Sequence, residues 1–169
     1  MKLLPMMLLG ASLSLTMPPL ALAQADLHSS LAITNVAAGK PTSHISTDYG
    51  GIASRAVDGN TDGNMDHGSV THTNTAVGAW WEVDLQQSTA IQRINVYNRT
   101  DACCTARLSN FSVQILDANR VVVKEFITND TAPSLIQFFA AGSSGRYVRI
   151  QLHGNSVLSL AEVQVWADI

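Results

Sequence analysis

The chain has 169 residues and a net charge of −3; 46% of its residues are hydrophobic and only 14% are charged. Nucleic acid and anionic membrane surfaces are excluded as principal partners, because acidic residues outnumber basic ones and the basic residues form no run. The two cysteines allow one intrachain pairing, and beyond residue 25 no stretch is long and apolar enough to span a bilayer, so no membrane insertion is expected.

Residues 1–25 read as a secretory signal peptide. Lys2 supplies the positive start, Leu3 to Leu22 are apolar, and small-x-small patterns place cleavage after Ala23 or Ala25. Pro5, Pro18 and Pro19 interrupt the apolar run, and no basic cluster follows it, which argues against a membrane anchor. The mature protein is expected to be secreted or periplasmic, with 9 basic against 13 acidic residues once Lys2 is removed. About 145 residues remain, enough for one domain with one core. Residues 26–33 form a short polar lead-in, and 34–169 form the domain.

Asn35-Val36-Ala37 predicts an opening strand ended by Gly39-Lys40-Pro41, and Thr42 to Ala53, rich in Ser, Thr and Gly, predicts a loop. Asp58 to His67 is a run of Asp, Asn and Gly that excludes regular structure. From Trp80 the pattern alternates. Trp81, Val83 and Leu85 share a face opposite Glu82 and Asp84; Ile94 and Val96, then Phe111, Val113 and Ile115, then Val148, Ile150 and Leu152 repeat the period. Val121 to Phe126, Leu135 to Phe139 and Leu158 to Trp166 add further strands, separated by turn clusters such as Ala141–Gly145. No helical stripe is present. The expected fold is all-β, a sandwich of about eight short antiparallel strands, with loops 58–79 and 98–109 at one end.

Chemistry concentrates in Asn98–Leu108, where Cys103 and Cys104 are adjacent and Arg99, Asp101 and Arg107 flank them. Consecutive Cα atoms lie about 3.8 Å apart, below the usual disulfide range of about 4.4–6.8 Å, so a bond between them would close a small strained ring. Such a ring adds almost no loop-closure stability, and its benefit would be a rigid, flat, polarisable patch. A reactive dithiol and two incidental thiols are the competing readings. Each arginine offers five donors in a planar fork, and Asp101 is close enough to orient one of them, although a solvated surface pair is the bland reading. His72, on the other loop, adds one donor and one acceptor. A histidine and two arginines make a donor-rich site suited to the oxygens of a polyol or an anion.

Asp58-Gly59-Asn60-Thr61-Asp62-Gly63-Asn64 imitates the start of an EF-hand loop, but its twelfth position is Ser69 rather than Glu. Plain turn chemistry is the alternative. For Ca²⁺ to bind, a distant carboxylate would have to complete the shell, and Glu162 is the candidate because it interrupts an apolar terminal strand.

The set His72, Arg99-x-Asp101, Cys103-Cys104 and Arg107 resembles the F-type lectin (fucolectin) family. The flanking words agree: Ala53-Ser54-Arg55-Ala56-Val57-Asp58-Gly59, Gly68-Ser69-Val70-Thr71-His72, Trp80-Trp81-Glu82-Val83-Asp84-Leu85 and Leu158-Ser159-Leu160-Ala161-Glu162-Val163. The resemblance covers residues 34–167 and implies a discoidin-like jelly-roll sandwich that binds L-fucose or fucosylated glycans with a structural Ca²⁺. By matching positions, His72, Arg99 and Arg107 would hydrogen-bond the sugar, a Cys103–Cys104 disulfide would stack on its ring, and Asp101 would orient. The implied Ca²⁺ ligands are the carbonyls of Arg55, Asn60 and Ala161, the side chains of Asp58 and Glu162, and Ser69 by carbonyl and hydroxyl. Two departures stand out. Ala102 is inserted after Asp101, making five residues before Arg107, and Met65 stands where an aromatic often lines the pocket for the sugar's methyl group.

The alternative from another class is a discoidin-like adhesion module binding another glycan or a lipid surface, which would need exposed apolar spikes on its loops. An enzyme is not expected, since a glycosidase needs two facing carboxylates and none pair near His72 and Arg99. A one-domain lectin would gain avidity as a homo-oligomer. Three glycosylation sequons begin at Asn98, Asn110 and Asn129, the first inside the expected site.

Overall fold

Alternating apolar residues make strands, and here two of the runs are long enough to serve two layers each. The structure, a computed structural model, describes residues 32–168; the expected signal peptide lies outside the described residues. Among the described residues nine strands follow in order: β1 (Ile33–Asn35), β2 (Thr42–His44), β3 (Ala76–Val77), β4 (Trp80–Asn98), β5 (Phe111–Leu116), β6 (Val122–Thr128), β7 (Leu135–Leu152), β8 (Asn155–Ser156) and β9 (Leu160–Asp168). Short 3₁₀ turns occur at Ala53–Val57, Met65–His67 and Thr105–Arg107, and there is no α-helix among the described residues. Among the described residues no helix is long and apolar enough to cross a membrane.

All pairings are antiparallel. The main sheet runs β1-β9-β4-β7-β5-β6 with β2 on β4, and β3 pairs β8 as a separate ribbon. β4 and β7 change layers midway. Trp80–Asp84 pair with Tyr147–Gln151, Arg93–Tyr97 pair with Leu135–Phe139, and the register shifts between Asp84 and Thr89 and again before Arg93. Positive φ at Gln86 (71°) and Gly142 (85°) supplies the bends. Folded in half, the strands face their apolar sides inward onto one core, where Trp81, Val83, Ile94, Val96, Val113, Ile150 and Val163 are fully buried. Phe111 of β5 meets Phe138 of β7 edge to face at 6.3 Å, across the two layers. Each such large side chain contributes about 1.5–3 kcal/mol by leaving water.

Folding the long strands in half brings both ends of β7 together. The Ala132 N–H donates to Leu108 O at 2.8 Å and the His153 N–H to Asn110 O at 2.8 Å, so one loop ties the segments before and after β7. The loops that carry the expected site residues gather at that end.

The structure departs from the pattern reading in four places. β1 ends at Asn35, whose side chain accepts the Ala37 N–H (3.2 Å) and the Val165 N–H (3.0 Å) and so turns Val36 and Ala37 out of the strand. Thr42–Ala53 is not all loop, because Thr42–His44 pair with Trp81–Val83. Leu135–Phe139 and Val148–Leu152 belong to one bent strand rather than two. Glu82 sits on the outer face as its alternation predicts, yet it is buried beneath Arg149 (2.8 Å) and Arg120 (3.2 Å).

Candidate ligand-binding site

His72 sits in a segment clamped on both sides. The Thr71 and Thr73 N–H groups donate to Leu160 O (2.8 Å) and Leu158 O (3.1 Å), and their hydroxyls accept from the N–H groups of Leu160 (3.0 Å) and Leu158 (2.9 Å). On the other side the His72 N–H donates to Gly51 O (2.8 Å) and its carbonyl accepts the Asp48 N–H (2.9 Å). A Cβ at Gly51 would collide with the His72 backbone, so the two strands of chain lie in direct contact. The ring is buried, and its Nε2 lies 3.0 Å from Arg107 Nη1. A guanidinium only donates, so Nε2 accepts and the neutral ring carries its proton on Nδ1. Burial holds the His72 pKa below 6.5, and the charges of Arg107 and Arg99 push the same way.

The second loop is equally fixed. Asn98 is buried, and its side-chain amide donates to Thr105 O (3.0 Å) and Ala132 O (2.9 Å). Arg99, 7% exposed, donates through Nε and Nη2 to the two carboxylate oxygens of Asp101 in a fork-to-fork pair. Arg99 holds the Asp101 carboxyl below the ordinary carboxylate range. Nη2 also reaches Cys103 Sγ at 3.6 Å. The sulfurs of Cys103 and Cys104 are joined across Cα atoms 3.7 Å apart, with Cys103 exposed and Cys104 buried. The Arg107 N–H donates to Cys104 O at 3.1 Å and so sets the guanidinium beside the sulfurs. Ala102, the extra residue, is exposed and leaves Asp101 on Arg99.

These groups line one cleft of about 440 Å³ with His72, Arg99, Arg107, Cys103, Cys104 and Met65 on its walls. Asp101 stands behind Arg99 rather than on the wall. Tyr49 and Asp66 also line it, and neither was singled out by sequence reasoning. Tyr49 is 78% exposed at φ 48° and points edge-on at His72, centroid to centroid 5.1 Å. Its only signal was an aromatic set in the turn Asp48-Tyr49-Gly50-Gly51. Asp66 was hidden within the acidic run. The cleft combines two guanidiniums, a neutral imidazole and a flat sulfur patch, an arrangement that donates to ligand oxygens and supports one apolar face. Asp101, Cys103 and Cys104 lie close enough to share a metal, but Asp101 is engaged by Arg99 and the sulfurs by each other.

The acidic loop is built by short-range capping. The side chains of Asp58, Asn60, Asp62 and Asn64 each accept the N–H two residues on, at 2.8, 3.0, 2.9 and 3.1 Å. The Ser69 hydroxyl donates back to the carbonyls of Asp62 and Asn64 (3.1 Å). Gly63 joins this loop to the arginine loop: its carbonyl accepts the Thr100 N–H at 2.9 Å. Glu162, fully buried on β9, accepts the Gly59 N–H at 3.2 Å through Oε1, while Oε2 has no partner among the described residues. Burial first, and the charge of Asp58 second, push its pKa up to about 7. A buried carboxylate with an orphan oxygen facing a second carboxylate fits a hard dication bound between them. Of the other expected ligands, Asn60 and Ser69 lie on this loop, Ala161 is buried next to Glu162, and the Arg55 side chain donates to Val70 O at 3.1 Å.

Residues 55–150 match the family described as the NedA-like, galactose-binding domain of F5/F8 type C. Fucolectin of Anguilla anguilla is 36% identical over 129 residues, which are 69% of this chain and 77% of that protein. The chain spans 61–65% of the length of the Anguilla japonica fucolectins. Among solved structures, the lectin domain of lectinolysin complexed with Lewis B antigen is similar with a TM-score of 0.78 and 40% identity, covering 80% of this chain and 98% of that one. A fucose binding module of Streptococcus pneumoniae gives 0.77 and 42%, covering 80% and 96%. The fucolectin match, over a fold of the expected antiparallel sandwich type, places the chain: it belongs to the F-type lectin (fucolectin) family, within the NedA-like, galactose-binding class of domains.

Proposed function

We propose that this protein is a secreted lectin that binds L-fucose and fucosylated glycans in the cleft between His72 and Cys103–Cys104. One observation carries the reading: His72, Arg99 and Arg107 converge beside the paired cysteines on a single cleft. Its relatives named fucolectin and fucose binding module support the choice of sugar. Arg99 and Arg107 donate to the hydroxyls and ring oxygen, each charge-assisted bond contributing about 1.5–3 kcal/mol. His72, kept neutral, is oriented by Arg107. The oxidised cysteine pair supports the apolar face of the ring, and Met65 packs against the methyl group. Asp101 fixes the plane of the Arg99 guanidinium.

A structural Ca²⁺ would be held by the carboxylates of Asp58 and Glu162, the carbonyls of Arg55, Asn60 and Ala161, and Ser69. Its charge would remove the repulsion between Asp58 and Glu162. The chain's own part is to bring those oxygens together and, through Gly63, to lay the loop against Asn98–Thr100. Affinity at one such cleft is modest because few groups are buried, so oligomerisation would supply avidity. Isothermal calorimetry of oxidised, Ca²⁺-supplemented protein should show L-fucose binding more tightly than D-galactose. Equal affinities would overturn the reading.

A second reading, a discoidin-like module for a lipid surface, is favoured by one feature: Ile45, Tyr49 and Ile52 are exposed on the loop beside the cleft. Trp81 counts against it, being buried with its Nε1–H on Ala53 O at 2.9 Å. Sedimentation with phosphatidylcholine and phosphatidylserine vesicles separates the two.

A further inference from the structure

A second cleft, of about 340 Å³, lies where the β3–β8 ribbon meets the outer face of β5, β6 and β7. That volume is within the range of small-molecule sites, about 300–1,000 Å³. The register sets its floor: Ser112 pairs with Gln151, and Gln114 pairs with Glu125. Val77 and Gly78 form the opposite wall, with Val77 78% exposed.

The polar groups of the cleft are only partly committed to one another. Gln114 Nε2 donates to Glu125 Oε1 at 2.8 Å, and Gln151 Nε2 donates to Gly78 O at 3.4 Å. One N–H of each amide is thus engaged, while its second N–H, the amide oxygens and the second carboxylate oxygen of Glu125 remain for a ligand, and His153 adds an imidazole to the lining. Ser112 is 1% exposed, yet its hydroxyl has no partner among the described residues. A buried hydroxyl without a partner costs stability unless something else satisfies it. Among the described residues no arginine or lysine lines the cleft.

This cleft therefore differs in charge from the first. The first presents two guanidiniums; the second presents amides, a hydroxyl and an imidazole that can donate and accept, and its one carboxylate disfavours anions. A matching ligand brings hydroxyls, which donate and accept, and no negative charge. Polar side chains at paired positions on neighbouring strands suit adjacent hydroxyl groups, and Val77 offers a small aliphatic wall to the C–H face. We propose that this cleft is a second glycan site, taking a neutral, hydroxyl-rich sugar residue independently of the fucose cleft. Two unlike sites on one chain would make a single copy bivalent towards a branched glycan.

The test is a nuclear magnetic resonance titration of the isotope-labelled, Ca²⁺-supplemented protein. The side-chain amides of Gln114 and Gln151 report the second cleft, and the His72 ring reports the first. Methyl β-D-galactopyranoside should move the Gln114 and Gln151 signals saturably, and methyl β-D-glucuronide, an anion, should not. Ser112→Ala and Gln151→Ala should each weaken the galactoside response about fivefold while the His72 response to L-fucose stays unchanged. Ser112→Ala should not lower the Tm, and removing an unpartnered buried hydroxyl should if anything raise it; a drop would mark a structural hydroxyl and count against the proposal. Absence of saturable shifts at Gln114 and Gln151 up to galactoside concentrations on the order of 100 mM, with L-fucose still moving His72, would overturn the second site and leave the fucose reading standing. Equal shifts with the glucuronide would overturn the assignment to a neutral sugar.

Discussion

Gly63 is the point where the acidic loop bears on the arginine loop, and replacing it with alanine tests that coupling. A Cβ at Gly63 would stand 2.7 Å from Asn98 O and 2.8 Å from Thr100 N, both backbone atoms, and 2.5 Å from Thr100 Oγ1. Ordinary contact begins near 3.4 Å, so the loops must separate by about 0.6–0.9 Å. Asn98 cannot yield easily, because its amide is bonded to Thr105 O and Ala132 O and its N–H to Ser134 O. Either the acidic loop lifts and loses the Gly63 O–Thr100 N–H bond, or the backbone at Arg99 shifts. Overpacking of this kind costs about 1–3 kcal/mol. A displaced Arg99 would forfeit a charge-assisted bond to the sugar of about 1.5–3 kcal/mol, or more than tenfold in affinity. Gly59→Ala is the control. Gly59 has φ 87° but nothing within 4 Å of the added Cβ, so it carries backbone strain without a clash. Calorimetry with L-fucose and thermal unfolding should show Gly63→Ala losing both affinity and Tm, and Gly59→Ala losing Tm alone. If Gly63→Ala binds fucose like the parent, the acidic loop does not position Arg99.

Four further outcomes follow from the same geometry. Because the folded-state pKa of His72 lies below 6.5, its neutral form persists at 6.5 and above; the fucose affinity of the Ca²⁺-supplemented protein should stay level from about pH 8 to 6.5 and fall as the ring protonates below that, the stability His72 contributes being present above 6.5 and lost as the pH falls below it, and an inflection in affinity above 6.5 would contradict the assignment. Chelation should destabilise: a cation at about a hundred times its Kd contributes about 2.7 kcal/mol, so excess EGTA should lower the Tm by about 8 °C, and Glu162→Gln should be insensitive to chelator in the same scan. Asp101→Asn leaves a nearly buried guanidinium without its counter-charge and should lower fucose affinity about tenfold and lower the Tm; unchanged values would place Asp101 outside the positioning of Arg99. Reduction of Cys103–Cys104 opens a ring that closes almost no loop, so the Tm should move less than about 2 °C while fucose affinity falls, as thermal scans and calorimetry with and without phosphine would show.

The alternation of Trp81, Val83 and Leu85 was legible because period two puts all three on the core side, where they are nearly or fully buried. The bend that folds β4 in half was not, since Gln86 takes φ 71° without the glycine that would have marked it. Nor was the burial of Glu82, which depends on Arg120 and Arg149, partners 38 and 67 positions away. At the site, the cysteine pair and its arginines were legible as chemistry that no core requires, and Glu162 as a carboxylate in an apolar strand. Tyr49 escaped because an aromatic in a turn has no periodicity; its place is set by the contact of Gly51 with His72. The cleft under the β3–β8 ribbon escaped for a similar reason. Ser112, Gln114 and Gln151 alternate with core residues exactly as any outward-facing polar residue would, and only the register joins them.

The two arginines are prepared differently, and the difference bears on selectivity. Arg99 is buried and locked to Asp101 on an edge its Nε and Nη2 share, so it offers ligand only the donors left over, in a fixed direction. Arg107 is half-buried, and one of its donors is spent on His72. Neither must give up much side-chain freedom on binding, which removes part of the usual ordering cost of about 0.5–1.5 kcal/mol per long side chain. A donor fixed in direction also discriminates. A sugar whose hydroxyl points elsewhere leaves a desolvated guanidinium N–H unpaired, a penalty of about 1–3 kcal/mol or more for a charged group. The sulfur patch cannot compensate, since stacking is indifferent to hydroxyl configuration. On the proposed binding mode, discrimination between hydroxyl stereoisomers would therefore reside in the Arg99–Asp101 and Arg107–His72 pairs, and the sulfurs would set how tightly any pyranose of the right face is held.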